Sequence, residues 1–205
     1  MIKGQEITTQ ITLSEVLHAA TWGCYRNIQS WKNAKDKYGA QTEKDDWQIN
    51  IMSCIGERAW AKYKNIYYNA EIGNYGAADV GNYYQIRASS IVNRHNAELR
   101  LHAKDEDEKP YILTLVGMEQ VIFVGWLFAY EGKLTKYWGD RWGVRRPAYF
   151  VPQKDLHPMS TIPEIPDSHL YSLDSRDPEK RRRETWGAGS VEEESPAMSQ
   201  GIPEG

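Results

Sequence analysis

The spacing of apolar residues changes once along this chain, and that change constrains the fold more than any motif does. Through residue 67 apolar side chains recur every three or four positions; beyond residue 77 they alternate. Residues 12–37 predict a first helix. Thr12 and Glu15 have capping-box spacing, and Leu13, Val16, Leu17, Ala20, Cys24, Ile28 and Trp31 form its stripe. A second helix is expected over about 46–67, capped by Asp45 or Asp46, with Trp47, Ile51, Cys54, Ile55, Ala59 and Tyr63 on its buried side. Gly73, Asn74 and Gly76 mark a loop. Strands follow at 77–80, 83–89, 98–103, 111–116 and 121–129. A short irregular or helical stretch comes next at 132–146, then a last extended piece at 148–151. Gly81-Asn82 and the charged run 104–109 are turn signals between neighbouring strands. Helices first and strands afterwards predict an α+β, layered domain.

With 205 residues, one domain with its own core is expected over 1–160. From about residue 161, Pro163, Pro166 and Pro178, an RRRE run at 181–184, an EEE run at 192–194 and a Gly/Ser/Pro-rich end predict a disordered tail to residue 205. Arg181 to Arg183 suit a solvated charge run or a partner contact. The net charge of −3 gives no global attraction to nucleic acid, so such a contact needs a local basic patch. Cys24 and Cys54 lack a CxxC partner and read as free thiols in a reducing cytosol. No apolar run approaches the ~18 residues of a membrane span. The N-terminus has no signal pattern, so a soluble cytoplasmic protein without a membrane partner is expected. Thirteen Tyr and eight Trp against three Phe favour rings with a polar handle, which serve grooves as readily as core and rim packing. No histidine pair has zinc spacing, and Walker, GxSxG and GxGxxG patterns are missing from the sequence. These gaps argue against a zinc site, a P-loop NTPase and an α/β-hydrolase.

The chemistry-bearing residues cluster in GERAWAKY at 56–63 and AADVGNYYQIRAS at 77–89. Alternation places Tyr84, Ile86 and Ala88 on an apolar face and Tyr83, Gln85, Arg87 and Ser89 on a polar one, in a strand expected to be central. Covered polar groups need partners or a ligand. Asp79 is the natural partner if the turn after it is odd-numbered. A two-residue Gly81-Asn82 turn pairs Asp79 with Tyr84 and points it away from Gln85. A three-residue loop, Val80-Gly81-Asn82, pairs it with Tyr83, puts it on the Gln85/Arg87 face and leaves Asn82 left-handed. Structural roles are open beside these. Glu57 also suits an exposed helix carboxylate paired with Lys62 or Arg58, Asp79 a turn-bonding residue, and Gln85 with Arg87 a polar cluster.

A helix glutamate, then Asp and a (E/Q)-x-K-like step on adjacent strands, resembles the PD-(D/E)XK nuclease superfamily. The order continues through LRLHAKDEDEKPYILTLVG, the FVGW strand and PAYFVP ending near LHP, similar to phage-encoded members, over roughly residues 12–160. The resemblance implies a restriction-endonuclease-like core, with two N-terminal helices packed on a mixed, mainly antiparallel sheet of about five strands. It further implies Mg²⁺ or Mn²⁺ held by Glu57, Asp79, Gln85 and the Ile86 carbonyl, with Arg87 in the place of the family lysine. Arginine cannot act as a general base, but it clamps phosphate. Gln85 for a carboxylate removes one negative charge from the ion's shell.

Lys133, Lys136, Tyr137, Trp138, Arg141, Trp142, Arg145 and Arg146 alternate cations with rings, which suits nucleic-acid contact; Trp138 and Trp142 suit a packed helix face equally. The resulting expectation is a Mg²⁺-dependent nuclease acting on DNA rather than RNA, phage-encoded and working in a bacterial cytoplasm. Its rivals are a catalytically degenerate module binding nucleic acid or a host protein, and an accessory structural phage protein.

Overall fold

A computed structural model of the protein describes residues 6–32, 43–68, 70, 78–140 and 147–167. It is an α+β fold with two N-terminal helices, a four-stranded mixed sheet and a second, three-stranded sheet. The first element is a strand, β1 (Ile7–Gln10), which the sequence patterning did not suggest. Helices α1 (Leu13–Lys32) and α2 (Glu43–Tyr63) follow. The capping box forms as expected: the Thr12 backbone N–H donates to Glu15 at 2.8 Å, and the Glu15 N–H donates to the Thr12 hydroxyl at 3.3 Å. Predicted features at 33–37, 73–77 and beyond 167 lie outside the described residues.

The main sheet runs β1-β5-β4-β2, with β2 (Gln85–Ser90), β4 (Pro110–Val116) and β5 (Gln120–Phe128). β2 and β4 are parallel; β4 with β5 and β5 with β1 are antiparallel. Among the described residues the β2 strand therefore lies at the sheet's edge rather than at its centre, and an isolated bridge between Val80 and Tyr84 precedes it. The expected charged hairpin across 104–109 does not form either. β3 (Glu98–Leu101) leaves the main sheet to pair with β7 (Ala148–Pro152), which pairs in turn with β6 (Trp138–Gly139). The physical reason is directional. Parallel strands need a crossover, and the chain between β2 and β4 supplies one by running through the second sheet.

The main sheet is thus covered on both faces. On one side Ile86, Ile112, Phe123 and Trp126 pack with Trp60 of α2. On the other, Leu113, Leu115 and Val124 meet Leu99, Leu101 and Val151 of the smaller sheet. A register shift opposite Val124 lets Phe123 and Trp126 face the same side although they are three apart. Trp60 is fully buried, with ring centroids of Phe123 at 4.8 Å and Tyr84 at 5.3 Å. Burial of one such side chain contributes ~1.5–3 kcal/mol.

The stripe expected on α1 is rotated. Leu13 (67%), Leu17 (59%) and Ile28 (38%) are exposed, whereas Val16, Ala19, Gly23 and Asn27 face inward. Gly23 explains this. A Cβ there would lie 2.6 Å from Ile51 Cα and 2.9 Å from Asn50 C, so the backbones of α1 and α2 touch at this point. Past residue 160 the chain stays packed through Ile165. Tyr84 donates to the Pro163 carbonyl at 2.8 Å, Lys64 pairs with Glu164 at 2.6 Å, and Ile162 and Ile165 join the helix-side core. Among the described residues no helix is long and apolar enough to cross a membrane.

Candidate metal centre at the edge of the sheet

The turn after Asp79 has three residues, Gly81, Asn82 and Tyr83, closed by Val80 and Tyr84. The loop has the odd number expected but lies one position later. Gly81 (φ 61°) and Asn82 (φ 56°) are both left-handed, a backbone that these two residue types adopt at little cost. Extending the bridge by one pair places Asp79 opposite Gln85. The Asp79 carboxylate turns into the edge of β2, where Oδ2 accepts the Ile86 N–H at 2.7 Å. N–H and C=O of one residue point to the same side of an extended strand, so the Ile86 carbonyl faces this edge too.

Glu57 approaches from α2. Far from being an exposed helix carboxylate paired with Lys62 or Arg58, it is 1% exposed. Arg26 grips it through both guanidinium nitrogens, at 2.5 Å to Oε1 and 2.7 Å to Oε2, and the Tyr68 hydroxyl donates to Oε2 at 3.3 Å. Burial first, and then the negative charge of Asp79, push the Glu57 carboxyl up to about 7, against the pull of Arg26. Asp79 is also raised by burial, countered by Arg87, the Ile86 N–H and Arg26. For Arg26, burial disfavours the charge, but the Glu57 carboxylate outweighs it and the guanidinium stays protonated. Glu57 thus feels the charge of Asp79, whereas Asp79 is set chiefly by burial against Arg87.

Gln85 and Arg87 lie on the opposite face of the sheet from α2. The register pairs Gln85 with Tyr111 and Ile86 with Ile112, and Ile86 and Ile112 are the residues beneath the helices. Arg87 pairs with Asp105 at 3.0 Å and lies 4.8 Å over the Tyr111 ring. Asp105 also accepts the His102 N–H at 2.9 Å. His102 itself is pushed down to about 4 by burial and then by Arg100, against the pull of Asp105 and with Arg87 and Lys104 adding. The structure therefore brings Asp79 onto the Ile86 N–H and close enough to Glu57 for its charge to act there, while Gln85 and Arg87 lie on the other face of the sheet. Among the described residues, no group of three or more His, Cys, Asp and Glu side chains is gathered to hold a metal.

Of the residues expected to meet nucleic acid, Lys133 bonds Asp107 at 2.6 Å and the Asp105 backbone, and so joins the loop that anchors Arg87. Lys136 lies over the Tyr137 ring at 4.5 Å, and Trp138 sits in β6, half exposed against Tyr149 at 4.7 Å. Arg141, Trp142, Arg145 and Arg146 lie outside the described residues. Sequence patterning missed Arg26, Tyr68, His102 and Asp105. For Arg26 a signal existed: it follows Gly23 by one turn, on the same face as the inward Ala19 and Asn27.

No protein-family model, curated protein or solved structure matches the chain.

Proposed function

We propose that this protein is a divalent-metal-dependent nuclease that hydrolyses DNA phosphodiesters, with Asp79 at the centre of its site. The observation that carries the reading is the Glu57–Asp79 pair. Asp79 raises the cost of ionising the buried Glu57 carboxyl, a cost that a cation beside Asp79 relieves. The order Glu57, Asp79, Gln85, Arg87 resembles the PD-(D/E)XK superfamily, which adds support.

The donors fit Mg²⁺ or Mn²⁺ as an all-oxygen set that substrate phosphate completes. Asp79 keeps Oδ1 without a hydrogen bond among the described residues, and the Ile86 carbonyl faces the same edge. Asp79, the Ile86 carbonyl and the Gln85 amide oxygen would hold the ion. The bound ion would supply Lewis-acid polarisation of a phosphate and activation of a water. Arg87 would clamp a phosphate and stabilise developing charge, and its anchoring by Asp105 and Tyr111 fixes its direction. Lys133, Lys136 and Trp138 would add contacts to a DNA strand.

A second reading has its own observation. Arg26 occupies both oxygens of Glu57, and Arg87 is already paired with Asp105. Both features suit a degenerate site that binds nucleic acid or a host protein without cutting. Cleavage of plasmid and single-stranded DNA, with Mg²⁺ or Mn²⁺ and with EDTA as control, separates the two. Metal-dependent products support the nuclease. DNA binding that Arg87→Ala weakens with a salt slope reduced by about one, and no products, supports the binding module.

A further inference from the structure

Glu57 has the position of a metal ligand but not the availability of one. Both of its oxygens lie in the guanidinium fork of Arg26, at 2.5 and 2.7 Å, and Oε2 also takes the Tyr68 hydroxyl at 3.3 Å. A carboxylate offers about four lone-pair sites, so three donors leave little for an ion. A divalent ion bound to Glu57 would also sit beside a permanently charged guanidinium in a desolvated pocket, where like charges repel strongly. The fork is not an incidental surface contact. It spans 31 residues of sequence between α1 and α2, and the Arg26 side chain is only 17% exposed.

We infer that Arg26 is the resident counter-cation of Glu57, so that a divalent ion at this site is held by Asp79 and not by Glu57. The inference rests on the metal reading above and sharpens it: the ion's shell contains one carboxylate, completed by carbonyl oxygens and substrate phosphate. It also assigns Arg26 a positioning role that a purely structural salt bridge would lack. Without its charge, the buried Glu57 carboxylate loses its counter-cation while the charge of Asp79 still bears on it, and Glu57 becomes a second ligand. Arg26 then sets how tightly the protein takes a divalent ion in the absence of substrate.

Mn²⁺ binding to the full chain, read from the electron-paramagnetic signal of the free ion, tests this without any activity measurement. Wild type and Glu57→Gln should bind Mn²⁺ within a few-fold of each other, the small difference coming from the unpaired Arg26 charge. Arg26→Met should bind it at least about tenfold tighter, as expected when one charged ligand is added and a neighbouring cation removed, and the double variant Arg26→Met/Glu57→Gln should lose that gain. Circular dichroism of each variant reports its folding. A fall in Mn²⁺ affinity of about tenfold or more in Glu57→Gln alone overturns the inference, because loss of a charged ligand, beyond the unpaired charge of Arg26, is then needed to explain it. So does an Arg26→Met chain that folds and gains nothing. The Glu57→Gln arm decides the matter even if Arg26→Met does not fold. Failure of the underlying metal reading looks different: Asp79→Asn would then bind Mn²⁺ as wild type does.

Discussion

Arg26 on α1 holds both carboxylate oxygens of Glu57 on α2, at 2.5 and 2.7 Å, in a pocket where Glu57 is 1% exposed. Removing one member of a buried pair strands the other, which costs ~3–5 kcal/mol, whereas replacing both with apolar residues of similar volume is often close to neutral. Arg26→Ala is therefore expected to lose ~3–5 kcal/mol in urea unfolding, and Arg26→Met/Glu57→Leu to recover most of it. Equal or additive losses in the double variant would show that the two side chains do not act as a pair.

The same corner sets a pH dependence. Glu57 titrates near 7 in the folded protein against 4.5 ordinarily, so the folded state holds the extra proton between those values. Its contribution to stability is fully present below pH 4.5 and is lost as pH rises through about 7. Glu57→Gln cannot titrate and strands Arg26 equally at every pH. Its unfolding free energy should therefore lack this slope, whatever its absolute level. Unfolding curves from pH 4.5 to 8 that run parallel for wild type and variant would contradict the burial argument.

Gly23 links the helix crossing to the site. An added methyl group would meet Ile51 Cα at 2.6 Å and Ile51 N at 2.8 Å, which are backbone atoms that cannot step aside. Gly23→Ala must push α1 from α2, with Arg26 one turn further along the same face. A loss of ~1–3 kcal/mol in thermal or urea unfolding is expected. An unchanged midpoint would mean that the helices are not held at this distance.

Much of this architecture was legible in the residues. The change of period separated helices from strands, the Thr12–Glu15 box marked the start of α1, and the odd-numbered turn with a left-handed Asn82 followed from the need to bring Asp79 toward Gln85. What stayed hidden was long-range. Which strand lies at an edge depends on partners far along the chain, so the parallel β2–β4 pairing and the escape of β3 to a second sheet left no local trace. The α1 stripe misled because a glycine contact, not the leucines, decides which face turns inward, leaving Leu13 and Leu17 outside. Arg26 was overlooked for a related reason: a charged residue on a helix reads as solvated until a buried carboxylate appears opposite it. The alternation within β2 was correctly seen, but it could not say that Gln85 and Arg87 stand across the sheet from Glu57.

The central claim is that Asp79 holds a divalent ion for phosphodiester cleavage, and one comparison tests it most directly. Wild type and Asp79→Asn, matched for folding by circular dichroism, are incubated in excess over supercoiled plasmid and a single-stranded oligonucleotide with Mn²⁺. The account predicts products with wild type, none with EDTA, and a rate at least roughly 100-fold lower for Asp79→Asn. Cleavage by Asp79→Asn at the wild-type rate, or intact DNA with wild type on both substrates, would contradict it.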